Sequence, residues 1–277
     1  MKIVLLVLAV GFLLALLFPR RVPRLFRRAG KSVRDVGSMG KEIATGEEVR
    51  GSPLARYETR AGQLLATKLL REHPPCRDLE IQKTVAGIGS ALAAHALRKE
   101  IPYRFLVVES REPNAFAVAG GSIFVTRQLV ELCAGNSNRI AGALAHEIVH
   151  VDRRHAILNL TATTALRAGL AIFSLGRAAL LGRICRGMEE LLVRGYRQDQ
   201  ELEADALGVR IAHLAGFDPR GLLDVLEILW EKQPEGTGVV AEIFGYLKAH
   251  PPVPVRIEAL RKEIARLEKE RRGPGPG

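Results

Sequence analysis

Two histidines four residues apart, with a glutamate beside the first, set the strictest condition on how this chain can fold. His146-Glu147-Ile148-Val149-His150 lies in an apolar-periodic run that begins near Asn138. A helix turns about 100° per residue, so residues i and i+4 share one face, one turn apart. That spacing predicts a helix whose two imidazoles grip one Zn²⁺ from the same side. Glu147 falls on the neighbouring part of that face, where it reaches water at the metal rather than the metal itself. Zinc lowers the pKa of such a water toward ~7, and a carboxylate can then remove its proton for attack on a carbonyl.

A third ligand must come from elsewhere. Glu201 and Asp205, in Glu201-Leu202-Glu203-Ala204-Asp205, are again i and i+4. With Glu201 as ligand the set becomes two histidines and a glutamate, leaving one position open, as catalytic zinc sites do. Asp205, one turn later, is placed to accept the other ring N–H of a ligating histidine, His146, and fix its tautomer. Glu203 is rotated about 200° from Glu201 and cannot face the same metal. His155, continued on the same helix, falls about 140° from His150, which makes it a surface or second-layer residue. A motif with a third histidine six residues beyond the second would need it at position 156, which is alanine.

Composition narrows the alternatives. The three cysteines, Cys76, Cys133 and Cys185, form no CxxC pair, which argues against a cysteine zinc site or a disulfide framework. The net charge of +11 suits an anionic partner. Aromatic content of 5% leaves few platforms for stacking bases, so no nucleic-acid partner is expected. Gly87-Ile88-Gly89 lacks a third glycine and a preceding strand, so it does not signal a dinucleotide site.

Ile3 to Phe18 is apolar throughout, broken only by Gly11, and Arg20, Arg21, Arg24, Arg27 and Arg28 follow. The run is slightly shorter than the ~20 residues a membrane span prefers, within reach of snorkelling flanks. Residues 1–20 therefore read as an uncleaved anchor in a cell membrane, with a signal peptide as the rival. The arginines place the following domain in the cytoplasm, or outside it if the segment is a signal peptide. Residues 21–53 read as a basic linker, 54–268 as the catalytic domain and 269–277 as a disordered tail.

Within the domain, Leu54–Leu70 and Asp78–Leu97 have helical spacing, the second with Leu79, Val85, Ile88, Leu92 and Leu97 near one face. Tyr103–Val108 reads as a strand. Pro113–Val118 and Ser122–Thr126 read as a hairpin turning at Gly120-Gly121. An open strand edge beside a zinc helix suits capture of an extended peptide, which makes Asn114, Ala115 and Phe116 candidate substrate contacts. Ala156–Gly182 is a second apolar stretch, read as a buried helical hairpin because Arg167 and Arg177 interrupt it. Trp230 reads as core. An amphipathic helix closes the chain, with Ile257, Leu260, Ile264 and Leu267 as its stripe.

These pieces together resemble the membrane-associated zinc metallopeptidases that include HtpX, the BepA-like and Oma-type proteases and the type I prenyl-protein endopeptidases. The matching residues are Asn114-Ala115-Phe116-Ala117, Gly120-Gly121 with Ile123 and Val125, His146-Glu147-x-x-His150 with Arg154-His155, and Glu201-x-x-Ala204-Asp205 with Gly208. Ala119 and Gln198 depart from residues common in relatives. The resemblance implies a gluzincin: an α+β, mainly helical, zincin-like domain with a small β-hairpin or sheet beside the HExxH helix. It also implies that His250, before two prolines and followed by Arg256, is a cleft residue that steadies substrate or transition state.

The expected function is hydrolysis of peptide bonds in protein substrates, with one Zn²⁺ per subunit and Glu147 as general base. The competing class is a membrane-associated quality-control or assembly factor that uses the same fold only for docking. A docking module has no need of Glu147, and that residue is intact.

Overall fold

The computed structural model describes residues 53–162, 177–232, 250 and 253–272. Almost all of them belong to one unit, Tyr57–Gly277. In order they form α1 (Pro53–Glu72), α2 (Leu79–Ala93), β1 (Arg104–Val108), β2 (Ala115–Val118), β3 (Ser122–Thr126), α3 (Arg127–Leu132), α4 (Ser137–Asp152), α5 (His155–Ala162), α6 (Arg177–Arg194), α7 (Gln198–Leu214), α8 (Gly221–Glu231) and α9 (Val253–Arg272).

The centre is α4. Every residue from Ile140 to Asp152 is buried, because α2, α7, α8 and the β2–β3 hairpin pack around it. A helix buried on all sides is apolar on all sides apart from what its site requires; here the exceptions are His146, Glu147, His150 and Asp152. Its start is built locally. Ala134 and Gly135 take positive φ, and the Asn136 side chain then accepts from the N–H groups of Asn138 and Arg139. At the other end Asp152 accepts from the backbone of Leu97 and Arg98 and from the Tyr103 hydroxyl at 2.6 Å. These bonds offset the unfavourable placement of an acid at a helix C-terminus.

The sheet is mixed, in the order β1-β3-β2. The expected hairpin is present, with β2 antiparallel to β3 and Gly120 and Gly121 at φ 85° and 95° in its turn. The parallel pairing of β1 with β3 is a long-range match that local periodicity does not reveal. The outer edge of β1 is closed: the Gln82 amide bonds both the N–H and the carbonyl of Val107, and Cys76 and Glu109 tie the 74–76 segment alongside. Among the described residues no strand pairs with the outer edge of β2.

The closing helix docks through Leu260, Ile264 and Leu267, as its stripe predicts, and it continues to Arg272. Two expectations fail at or just beyond helix ends, α2 stopping at Ala93. Leu79 and Leu97 are 69% and 64% exposed, so only Val85, Ile88 and Leu92 of that stripe reach the core. Trp230, in the last turn of α8, is 44% exposed rather than core. The N-terminal segment, nearly all of the basic linker, residues 163–176 of the second apolar stretch and the glycine-proline tail lie outside the described residues. Among the described helices none is long and apolar enough to cross a membrane.

Candidate metal centre

On α4 the Nε2 atoms of His146 and His150 stand 3.0 Å apart. Helix α7 lies across α4 and brings Glu201 to the same point, its carboxylate oxygens 3.5 Å from each of those nitrogens. His250 completes the group, with Nδ1 3.0 Å from Glu201 Oε1 and 3.3 Å from His146 Nε2. One donor atom from each of these four buried residues lies within 4.8 Å of the others. The sequence places His250 in the cleft; the structure puts it among the donors themselves.

Three nitrogens and a carboxylate oxygen converging on one buried point fit a small divalent cation, and borderline-soft nitrogen and oxygen donors of this kind suit zinc. The ring orientations agree. His146 turns Nδ1 to Asp205 at 2.8 Å, the partnership read from the i, i+4 spacing, and so directs Nε2 inward. Asp205 is itself held by Arg256, whose Nε and Nη2 bond its two oxygens at 2.8 and 2.7 Å. Arg256 Nη1 also bonds the His250 carbonyl and lies 3.0 Å from Glu201. This guanidinium is fully buried and joins α9 to the centre.

The fields follow from these neighbours. Burial pulls the His146 imidazole down, but Asp205 and Glu201 more than reverse it, and its pKa rises to about 9. Burial and the charge on His146 drive His150 well below the ordinary imidazole value. Burial opposes ionisation of Glu201, yet His250 and Arg256 hold it well below the ordinary carboxylate range. Asp205 is lowered in the same way, with Arg256 outweighing burial.

Glu147 is the contrast. It is fully buried, and neither carboxylate oxygen completes a hydrogen bond, although the Ala117 N–H is near and His250 Nε2 lies at 3.3 Å. Burial therefore raises its pKa. A buried carboxylate with no completed hydrogen bond is costly unless it has work to do there.

Two residues escape a reading of spacing. Tyr196 stacks on His150, ring centroids 3.9 Å apart, and burial with the nearby Glu147 and Glu201 raises its phenol, which stays protonated. Nothing in a lone tyrosine near a ligand helix announces that placement. His155 is the other. Helix α4 does not continue to it: Arg154 takes φ 53° and pairs with buried Glu58, and α5 starts afresh at His155. The kink swings His155 beneath His150, Nδ1 to Nδ1 at 2.9 Å.

The candidate substrate residues lie at the start of β2, which packs against α4, with Asn114 just before the strand. Asn114 bonds Thr126 through its backbone, and its buried side-chain oxygen has no partner. Ala115 is buried, and the Phe116 ring stacks on Phe124 at 5.2 Å. A small cavity lined by Ala117, Val118, His150, Ile157 and Tyr196 separates β2 from α5.

The profile of peptidase family M48 matches residues 79–264, a span that holds all four donors and Glu147. The chain belongs to peptidase family M48. Relatives of this M48 chain include the β-barrel assembly-enhancing protease of Escherichia coli strain K12, 25% identical over 236 residues, which are 80% of this chain and 46% of that protein. The mitochondrial metalloendopeptidase OMA1 of Saccharomyces cerevisiae is 34% identical over 160 residues, 57% of this chain and 45% of its own. Metalloprotease YcaL of Escherichia coli K12 is 28% identical over 203 residues, 69% of this chain and 77% of its own. The M48 chain thus spans less than half the length of the first two relatives.

Proposed function

We propose that this chain is a zinc metalloendopeptidase acting on protein substrates. The observation that carries the reading is the meeting of His146, His150 and Glu201 around one point, with the buried Glu147 carboxylate beside it completing no hydrogen bond. In this reading His146, His150 and Glu201 hold Zn²⁺, one per chain, with the fourth position left to water or substrate and not taken by His250. Bound there, zinc would supply Lewis-acid polarisation of the scissile carbonyl and acidify water for attack.

The protein's own groups do the rest. Glu147, its pKa raised by burial, takes the proton of the attacking water and returns it to the departing amine. His250, between Glu201 and Glu147, steadies the negative charge that develops on the carbonyl oxygen. An extended peptide pairs with the open edge of β2, and the Asn114 side-chain oxygen offers it an acceptor. Tyr196 and α5 line a small cavity beside this strand.

The apolar run at Ile3–Phe18 and its arginines support a single membrane anchor, with residues 54–268 as the catalytic domain on the cytoplasmic side. The two assembly-enhancing and mitochondrial relatives are named as proteases, which supports hydrolysis over docking alone. Cleavage of unfolded casein, with and without a chelator, tests the reading. Glu147→Gln should keep zinc and lose about 10²–10⁴-fold in rate. Chelator-insensitive cleavage, or full turnover by that variant, would refute it.

A further inference from the structure

The two α4 histidines are held differently. His146 gives its Nδ1 to a carboxylate directly. His150 meets another imidazole, His155, through Nδ1, and His155 Nε2 lies 3.1 Å from Glu203 Oε2. The second oxygen of Glu203 pairs with Arg153. Glu203 is on α7, two residues from Glu201, so this one helix addresses both rings: Asp205 touches His146, and Glu203 touches His155.

We propose that His155 is a positioning residue that fixes the metal-binding tautomer of His150, with Glu203 fixing His155 in turn. The proposal rests on the reading of His150 as a metal ligand. Proton bookkeeping leaves one arrangement. A neutral imidazole carries one N–H. If His150 offers its Nε2 lone pair to a metal, its hydrogen is on Nδ1 and points at His155. His155 then accepts at Nδ1 and carries its own hydrogen on Nε2, facing a carboxylate that can only accept. The reverse order turns a lone pair of His155 toward the Glu203 carboxylate. It also puts a hydrogen on His150 Nε2, where the metal belongs. The terminal carboxylate therefore selects the tautomer two residues away, across a buried bond.

Side-chain shape allows a clean test. Asparagine carries an oxygen near the position of histidine Nδ1, whereas glutamine carries its amide near the position of Nε2. His155→Asn keeps an acceptor for His150; His155→Gln keeps the link to Glu203 but loses that acceptor, although it fills the site better. Zinc affinity of the full chain, by competition with a chromogenic chelator, should stay near wild type in His155→Asn. It should fall about 10–100-fold in His155→Gln and His155→Leu. In the zinc-loaded wild type, ¹⁵N-resolved ring spectra should show His150 protonated on Nδ1 and His155 on Nε2, a readout independent of how the variants fold. Equal affinity of the asparagine and glutamine variants, or a His155 hydrogen on Nδ1, would overturn the relay. Failure of the wild type to bind zinc at all would overturn the relay together with the metal site beneath it.

Discussion

Asp205 Oδ1 lies 2.8 Å from His146 Nδ1, and Arg256 clasps both oxygens of the same carboxylate. The aspartate thus aims a ring at the metal position while the arginine aims the aspartate. Asp205→Ala should weaken zinc binding about 10–100-fold. Asp205→Asn should fall between, because its Oδ1 still accepts from His146. Isothermal titration or chelator competition reads both; a wild-type Kd in the alanine variant would show that the ring is held by other means.

Arg256 balances two buried carboxylates, Glu201 and Asp205. Its removal leaves both buried carboxylates with imidazole partners alone. Arg256→Met should destabilise the metal-free protein by about 3–5 kcal/mol. The midpoint of urea unfolding reports this, and a shift under about 1 kcal/mol would mean that the carboxylates find other counterions.

Protons compete with metal at His146. Its folded pKa is raised to about 9, so in the metal-free protein its stabilisation is complete below the unfolded value of about 6.5. That contribution is lost as pH rises through about 9. Asp205 runs the other way: its lowered pKa stabilises above the unfolded value of about 3.9 and fails as acid protonates the folded carboxylate. Metal-free melting temperatures should therefore decline toward both alkaline and strongly acidic pH. Zinc must expel the His146 proton, so its apparent affinity should climb by up to about tenfold per pH unit below that pKa and then level off. A flat affinity profile would exclude a protonated His146.

Two glycines give opposite signs. Gly142, in the middle of α4, abuts the backbone of Gly221 and Leu222 at the start of α8, and a Cβ there collides with main chain. Gly142→Ala should cost about 1–3 kcal/mol despite better helix propensity. Gly87, in α2, has open space around it, and Gly87→Ala should stabilise by about 0.5–1 kcal/mol. Thermal denaturation of the pair checks both.

How legible the molecule was depends on whether a feature is written locally. His146, His150, Glu201 and Asp205 are two i, i+4 pairs, so helical periodicity alone predicts that each pair shares a face. The hairpin declares itself through Gly120-Gly121 between two short apolar runs. Partners distant in sequence leave no such mark: the parallel β1–β3 match, Tyr196 against His150, and His250 among the donors rather than beside them. His155 is instructive because the helical argument placed it off the metal face, on the surface or in a second layer. It does occupy a second layer, but by way of a left-handed residue, Arg154, that no propensity rule anticipates in an arginine. Trp230, Leu79 and Leu97 show the opposite error: apolar character overstated burial at two helix ends and, for Leu97, past the end of α2 at Ala93.

Helix α9 contributes Arg256, the cation that makes Glu201 and Asp205 tolerable side by side. During synthesis the two acids emerge from the ribosome well before their counterion does. A nascent chain carrying everything through α8 therefore still has mutually repelling acids where the finished enzyme has a cradle. Assembly of this centre thus depends on the docking of the last helix, which alone brings the guanidinium to both carboxylates.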